Sequence, residues 1–127
     1  MSRETSKKKR RQKFDSNVDP AFLHEMIVAC RSVVKHSAGA DIDLYLADEK
    51  LRAAMDRWLY IICDGASNLS QEVLDRHRDV AWDKVIDMRI WLAHRYMSFD
   101  PEISWNAITE EVPVVLASLE GDSFFRR

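Results

Sequence analysis

Apolar residues recur along this chain at spacings of three and four, the period of a helix that buries one face. Little interrupts them, since 127 residues hold only three glycines and three prolines. Asp19-Pro20 reads as a cap followed by a proline in the first turn. It opens a helix in which Phe22, Met26, Cys30, Val33 and Val34 share a face, and Gly39 ends it. Asp41 to Leu46 read as a loop or short turn. From about Asp48 to Leu69 a second helix carries the stripe Leu51, Met55, Trp58, Leu59, Ile62, Ala66 and Leu69. Ser70 caps a short helix through about Arg76. A further helix runs from about Val80 to Met97, with Trp82, Val85, Ile86, Met88 and Leu92 as its core positions. Asp100-Pro101 repeats the cap and proline start and opens a last helix bearing Ile103, Trp105, Ile108, Val112, Val115, Leu116 and Leu119. Pro113 falls inside that pattern and should kink or split it, because proline lacks the backbone donor and clashes with the preceding turn. Helices joined by short loops predict an all-α fold, an antiparallel bundle of four to five helices.

Composition adds the outer bounds. With 46% hydrophobic residues the chain is long enough for one domain with one core. Charge divides it. Arg3, Lys7, Lys8, Lys9, Arg10, Arg11 and Lys13 against Glu4 leave +6 in the first thirteen residues, and with a whole-chain charge of −2 the remainder carries −8. Residues 1–18 therefore read as a basic, disordered arm able to attract phosphate backbones or simply to keep the chain soluble. Residues 19–120 form the helical domain, and residues 121–127 a tail. No apolar run reaches the roughly 18 to 20 residues that span a bilayer, and no apolar signal core follows the basic start, so a cytoplasmic protein is expected. Cys30 and Cys63 lack metal-ligand spacing and read as reduced, core-facing thiols. Trp58, Trp82 and Trp105 read as core or interface. Trp91 has the option of stacking a base or packing against a second subunit.

The chemistry lies in Met88-Arg89-Ile90-Trp91-Leu92-Ala93-His94-Arg95-Tyr96. A permanent guanidinium offers paired donors to phosphate oxygens. An imidazole titrates near neutrality and can take a proton from a 2′-hydroxyl without a metal. At 3.6 residues per turn Tyr96 returns almost to the face of Arg89, whereas His94 lies roughly 140° away. One helix alone does not close a compact site, so the groups must converge in a cleft with another helix or with a second copy of the chain.

These residues, with their surroundings, resemble the HepT-like branch of the HEPN superfamily. The family pattern of Arg-x4-His-x-Tyr, a short Asp-containing turn and a helix opening near a Trp is matched by Arg89, Leu92, His94 and Tyr96, by Phe99-Asp100 and by Trp105, with Trp82-Asp83-Lys84-Val85-Ile86 leading in. Upstream, Leu59 to Ser70 is similar to the family's second long helix. Asp64 stands there where the family usually has Glu, and Ile90 stands where a polar residue, often Asn, commonly follows the motif arginine. The resemblance covers about residues 19 to 120.

It implies a type VII-like toxin: a metal-independent ribonuclease without cofactor, homodimeric, in which Arg89 and His94 are catalytic and Asp64, Arg95 and Trp91 lend support. Its implied partners are RNA and an MntA-like nucleotidyltransferase antitoxin, which adenylylates Tyr96. The other reading it allows is a non-catalytic HEPN-type subunit that binds a nucleotide or a partner within a two-component nucleotidyltransferase. A core tyrosine at 96, and a helical interaction protein using the basic arm, also remain open on sequence alone.

Overall fold

The computed structural model describes residue 15, residues 18–94 and residues 100–122, with His94 described by its backbone alone. Among these residues the chain forms α1 (Val18–Ser37), α2 (Ile42–Ala47), α3 (Glu49–Asn68), α4 (Gln71–Arg76), α5 (Trp82–His94), α6 (Pro101–Asn106), a π-helical turn (Ala107–Glu111) and α7 (Val112–Glu120). The long elements are α1, α3, α5 and the continuous rod from α6 through the π turn to α7. They make the expected all-α bundle, with α2 and α4 as short connectors. No described helix is long and apolar enough to cross a membrane. The basic arm, apart from Asp15 and Val18, and the end of the motif helix past His94 fall outside the described residues.

The starts of the helices follow local chemistry. Asp48 accepts from Lys50 N–H and Leu51 N–H at 3.0 Å each, Ser70 Oγ accepts from Val73 N–H at 3.3 Å, and Asp100 accepts from Glu102 N–H at 3.0 Å. Each satisfies an amide that the helix itself leaves without a partner.

Asp19 departs from its expected role as a cap. It lies in the first turn of α1, fully buried, and its carboxylate accepts from Asp15 N–H at 3.0 Å and from Ser70 N–H at 2.9 Å. The helix start is served instead by Asp15, whose carboxylate accepts from Val18 N–H at 3.1 Å. Asp19 thus ties the beginning of α1 to the end of α3, while at the other end of α1 the His36 ring lies 5.0 Å from Trp58. The two helices run antiparallel.

Two other expectations change, and the expected disruption at Pro113 takes a definite form. Val34 is exposed, because the buried stripe of α1 follows Leu23, Met26, Ile27, Cys30 and Val33. The segment read as a loop is the helix α2, capped by Asp41, which accepts from Leu44 N–H at 2.9 Å. Its reason for folding is Tyr45, which is fully buried beneath Trp105 with ring centroids 5.3 Å apart. Pro113 splits the last helix without ending it: the preceding turn widens so that Val112 N–H bonds Ala107 O, and the proline enters the first turn of α7, where no amide is required.

Two contacts fix the frame around α3 and α5. At Gly65 a Cβ would lie 2.5 Å from Met26 Cγ, so the Met26 side chain of α1 occupies the space that a side chain at 65 would need, while the nearest α1 backbone atom, Phe22 O, would be at an ordinary 3.8 Å. At the end of the bundle, His77 is buried and bridges Asp122 Oδ2 at 2.6 Å and Ser118 Oγ at 2.8 Å. Trp82 Nε1–H donates to His77 O at 3.0 Å, holding the start of α5 in the same cluster.

Gly65→Ala should therefore destabilise the protein despite alanine's better helix propensity, because Met26 is fully buried and its Cγ must move. The expected loss is about 1–3 kcal/mol, read as a lower urea midpoint with an unchanged slope. A midpoint at or above the parental value would show that this contact is not a constraint.

Candidate functional site

The apolar positions of α3 and α5 pack together around Leu59, Ile62, Cys63, Val85 and Met88, which also line a void of about 20 Å³. This packing places one edge of α5 against one edge of α3. Arg89 comes from the first and Asp64 from the second, with Nη1 3.9 Å from Oδ1. The side chains are 41% and 39% exposed. At that distance the pair is an electrostatic contact rather than a hydrogen bond.

The inner part of the guanidinium is sheltered. Arg89 Nε is buried and has no hydrogen-bond partner, so a charged donor is held out of water beside a surface at which the terminal nitrogens emerge. Asp64 is steadied from its backbone: its carbonyl accepts from Ser67 Oγ–H and Asn68 Nδ2–H, each at 2.8 Å. Tyr60, one turn earlier on α3 and half-buried, lies on the same side of the helix as Asp64.

Cys63 sits behind the pair. Burial pushes its thiol up to about 12, with the Arg89 charge opposing and the Asp64 charge assisting. Cys30 is likewise pushed up to about 12, by burial first and then by Cys63 and Glu120. Both cysteines are free and buried, as expected of core-facing thiols.

The other motif positions are dispersed. His94 is the last residue of α5; Arg95 and Tyr96 lie outside the described residues. Ile90, beside Arg89, is 56% exposed, and four residues before His94 it shares that residue's side of the helix. Trp91 does not join Arg89. Two residues on, it lies roughly 160° around α5, half-buried in a groove of about 660 Å³ between α5 and the last rod. Lys84, Asp87, Met88 and Trp91, spaced as successive turns of one face, form one wall of that groove. That spacing was visible in the sequence, but its mixed composition reads as a solvated face. Among the described residues no group of three His, Cys, Asp or Glu side chains could hold a metal ion.

A family model described as "Ribonuclease HepT-like" matches residues 26–120. Two similar proteins are "Putative RNase MJ0127" of Methanocaldococcus jannaschii, 25% identical over 100 residues that cover 79% of this chain and 83% of that one, and "Probable ribonuclease HepT" of Thermococcus cleftensis, 23% identical over 99 residues that cover 78% and 90%. No solved structure gives a significant match.

The thiols generate a two-part prediction. At pH 8 the native protein should leave a thiol reagent such as dithionitrobenzoate unreacted, and unfolded chain should react at both cysteines. A thiol whose folded pKa is raised above 9.0 stabilises the fold fully below pH 9, and that contribution is lost as pH rises toward about 12. Denaturant midpoints should accordingly fall across that window, and less steeply in Cys63→Ala. Rapid labelling of native protein at pH 8 would contradict this burial.

Proposed function

The chain belongs to the Ribonuclease HepT-like family, and from that premise we propose that it is a metal-independent endoribonuclease, the toxin of a toxin–antitoxin pair, acting as a homodimer. The observation that carries this reading is Arg89: a half-exposed guanidinium paired only loosely with Asp64, its Nε–H buried without a partner. A phosphodiester approaching that edge offers such a group the anionic oxygens that the protein does not provide.

The chemistry follows from that placement. Arg89 orients the phosphate and stabilises charge on its equatorial oxygens as the 2′-oxygen attacks. His94 takes the proton of the 2′-hydroxyl as the O2′–P bond forms. His94 of the partner subunit gives a proton to the 5′-oxygen as the P–O5′ bond breaks, leaving a 2′,3′-cyclic phosphate and a 5′-hydroxyl. Two copies of α5 facing one another answer the wide angle between Arg89 and His94 on a single helix. Exposed Ile90, on the side of His94, supplies apolar surface for such a contact. Asp64 holds Arg89 in place until substrate arrives. Arg95 supports the site through its charge, whereas Trp91, roughly 160° around α5 from Arg89, lies in the separate groove against the last rod.

Control by an MntA-like nucleotidyltransferase would act on Tyr96. Each adenylyl group adds about one negative charge beside the RNA path, enough to repel a polyanion from a site whose attraction depends on one or two arginines.

In EDTA, Arg89→Ala and His94→Ala should each cut RNA at least about 100-fold more slowly than the parent, with unchanged helical circular dichroism. A parental rate in either variant would remove the assigned chemistry. If the residues act across the dimer, mixing the two inactive variants should restore part of the activity, whereas an active form that stays monomeric at micromolar concentration would not allow it.

Tyr96→Phe should retain cleavage and escape modification. Incubating the parent with its antitoxin and ATP should add adenylyl mass that peptide mapping places on Tyr96; the same added mass in Tyr96→Phe would contradict this mode of control.

A further inference from the structure

The groove on the far side of α5 is not used by the chemistry above. Its floor is apolar, formed by Met88, Trp91, Ile103 and Ala107, and Ile103 is exposed there. Its rim is acidic: Asp87, Glu110 and Glu111 line it. The cation in the lining, Lys84, is already held by Glu111 at 3.1 Å. Three carboxylates against one lysine leave the lining with a net charge of −2 beside the indole, a poor surface for a phosphate backbone. They suit a guanidinium or ammonium group, whose apolar stem and cationic head can lie on the ring while the carboxylates accept its hydrogen bonds.

The chain carries a segment of that chemistry. Lys7, Lys8, Lys9, Arg10, Arg11 and Lys13 crowd one stretch, and the remainder of the protein is strongly acidic. Asp15 lies twelve positions after Arg3, an extended reach of about 40 Å, whereas a domain of this length has a radius of gyration of only about 14 Å. The tether brings the segment to the groove at an effective concentration of order millimolar, so a contact weak between separate molecules is well populated within one.

We propose that this groove is the docking site of the chain's own basic segment, residues 3–13, seated by its arginines and lysines against Trp91 and the carboxylates of the π turn. The contact makes the segment's cations a reserve: RNA phosphates compete with the groove for them, so the segment changes partners when RNA binds. The proposal stands apart from the ribonuclease reading, because docking needs neither Arg89 nor RNA cleavage.

The test uses the full chain without RNA. Carbodiimide joins amines to carboxylates in direct contact, and mass spectrometry maps the bonds. At about 20 mM salt, bonds from Lys7, Lys8, Lys9 or Lys13 should concentrate on Asp87, Glu110 and Glu111, and their yield should fall at least about tenfold in about 0.5 M salt, where screening is short-ranged. In an equal mixture of ordinary and nitrogen-15 chains, the bonded peptides should carry one isotope each.

The Trp91 indole resonance should shift between the two salt conditions in the parent. It should stay in place when Lys7, Lys8, Lys9, Arg10 and Arg11 are all changed to glutamine. Bonds spread over the acidic surface, mixed-isotope peptides showing that a second copy supplies the segment, or photocrosslinking of an RNA oligonucleotide to Trp91 would each overturn the proposal.

Discussion

The seating of the Met26 side chain of α1 on Gly65 of α3 is the constraint on which the rest of the structure depends. A glycine inside a helix costs roughly 1 kcal/mol relative to alanine. Here it gives Met26 room to pack fully buried against the α3 backbone. With α3 clamped from behind, its neighbours are fixed in height: Cys63 faces the core and Asp64 faces the edge of α5. The register is secured again at the end of the pair, where buried Asp19 accepts from Ser70 N–H. The His77 cluster then holds the start of α5 through Trp82 and the end of α7 through Ser118 and Asp122. Arg89 inherits its position from all three.

What this frame delivers to Arg89 is incomplete satisfaction. Two unit charges about 4 Å apart interact by about 1 kcal/mol in water and about 4 kcal/mol at an effective dielectric constant of 20. With roughly two-fifths of each side chain exposed, the Arg89–Asp64 pair belongs near the surface limit, where ion pairs contribute about 0–1 kcal/mol. A phosphodiester able to accept two parallel N–H bonds competes well with such a partner. Asp64 therefore suits a role as a placeholder that orients the guanidinium. A full-strength salt bridge there would have to be broken each time substrate bound. The short side chain of an aspartate fits this looser contact.

Much of the fold is legible in the sequence because its signals are local. The caps at Asp48, Ser70 and Asp100 need only the residues two or three positions on, and the stripes of α3 and α5 need only helical periodicity. The sequence fails where the deciding partner is distant. Asp19-Pro20 looks the same whether the aspartate caps its own helix or serves an amide 51 residues away. Asp41 to Leu46 lacks the length of a convincing helix, and only the Tyr45–Trp105 contact makes it one. Pro113 announces a disruption but not its form, since the chain can absorb a missing donor by widening a turn. For the site, the residue types were readable and Asp64 stood out as a supporting carboxylate, but its contact with Arg89 depends on how α3 and α5 pack; the opposite orientation of Trp91 follows from angle alone. The groove beside Trp91 was not readable, because a mixed polar face looks solvated until a second helix is laid along it.

The central claim is that Arg89 and His94 form a metal-independent site for transesterification at RNA phosphates. It is tested most directly by incubating the purified full chain with RNA in excess EDTA and identifying the product ends. The account predicts cleavage at an undiminished rate, yielding 5′-hydroxyl and 2′,3′-cyclic phosphate ends. RNA that stays intact unless a divalent metal is supplied, or products bearing 5′-phosphates, would contradict it.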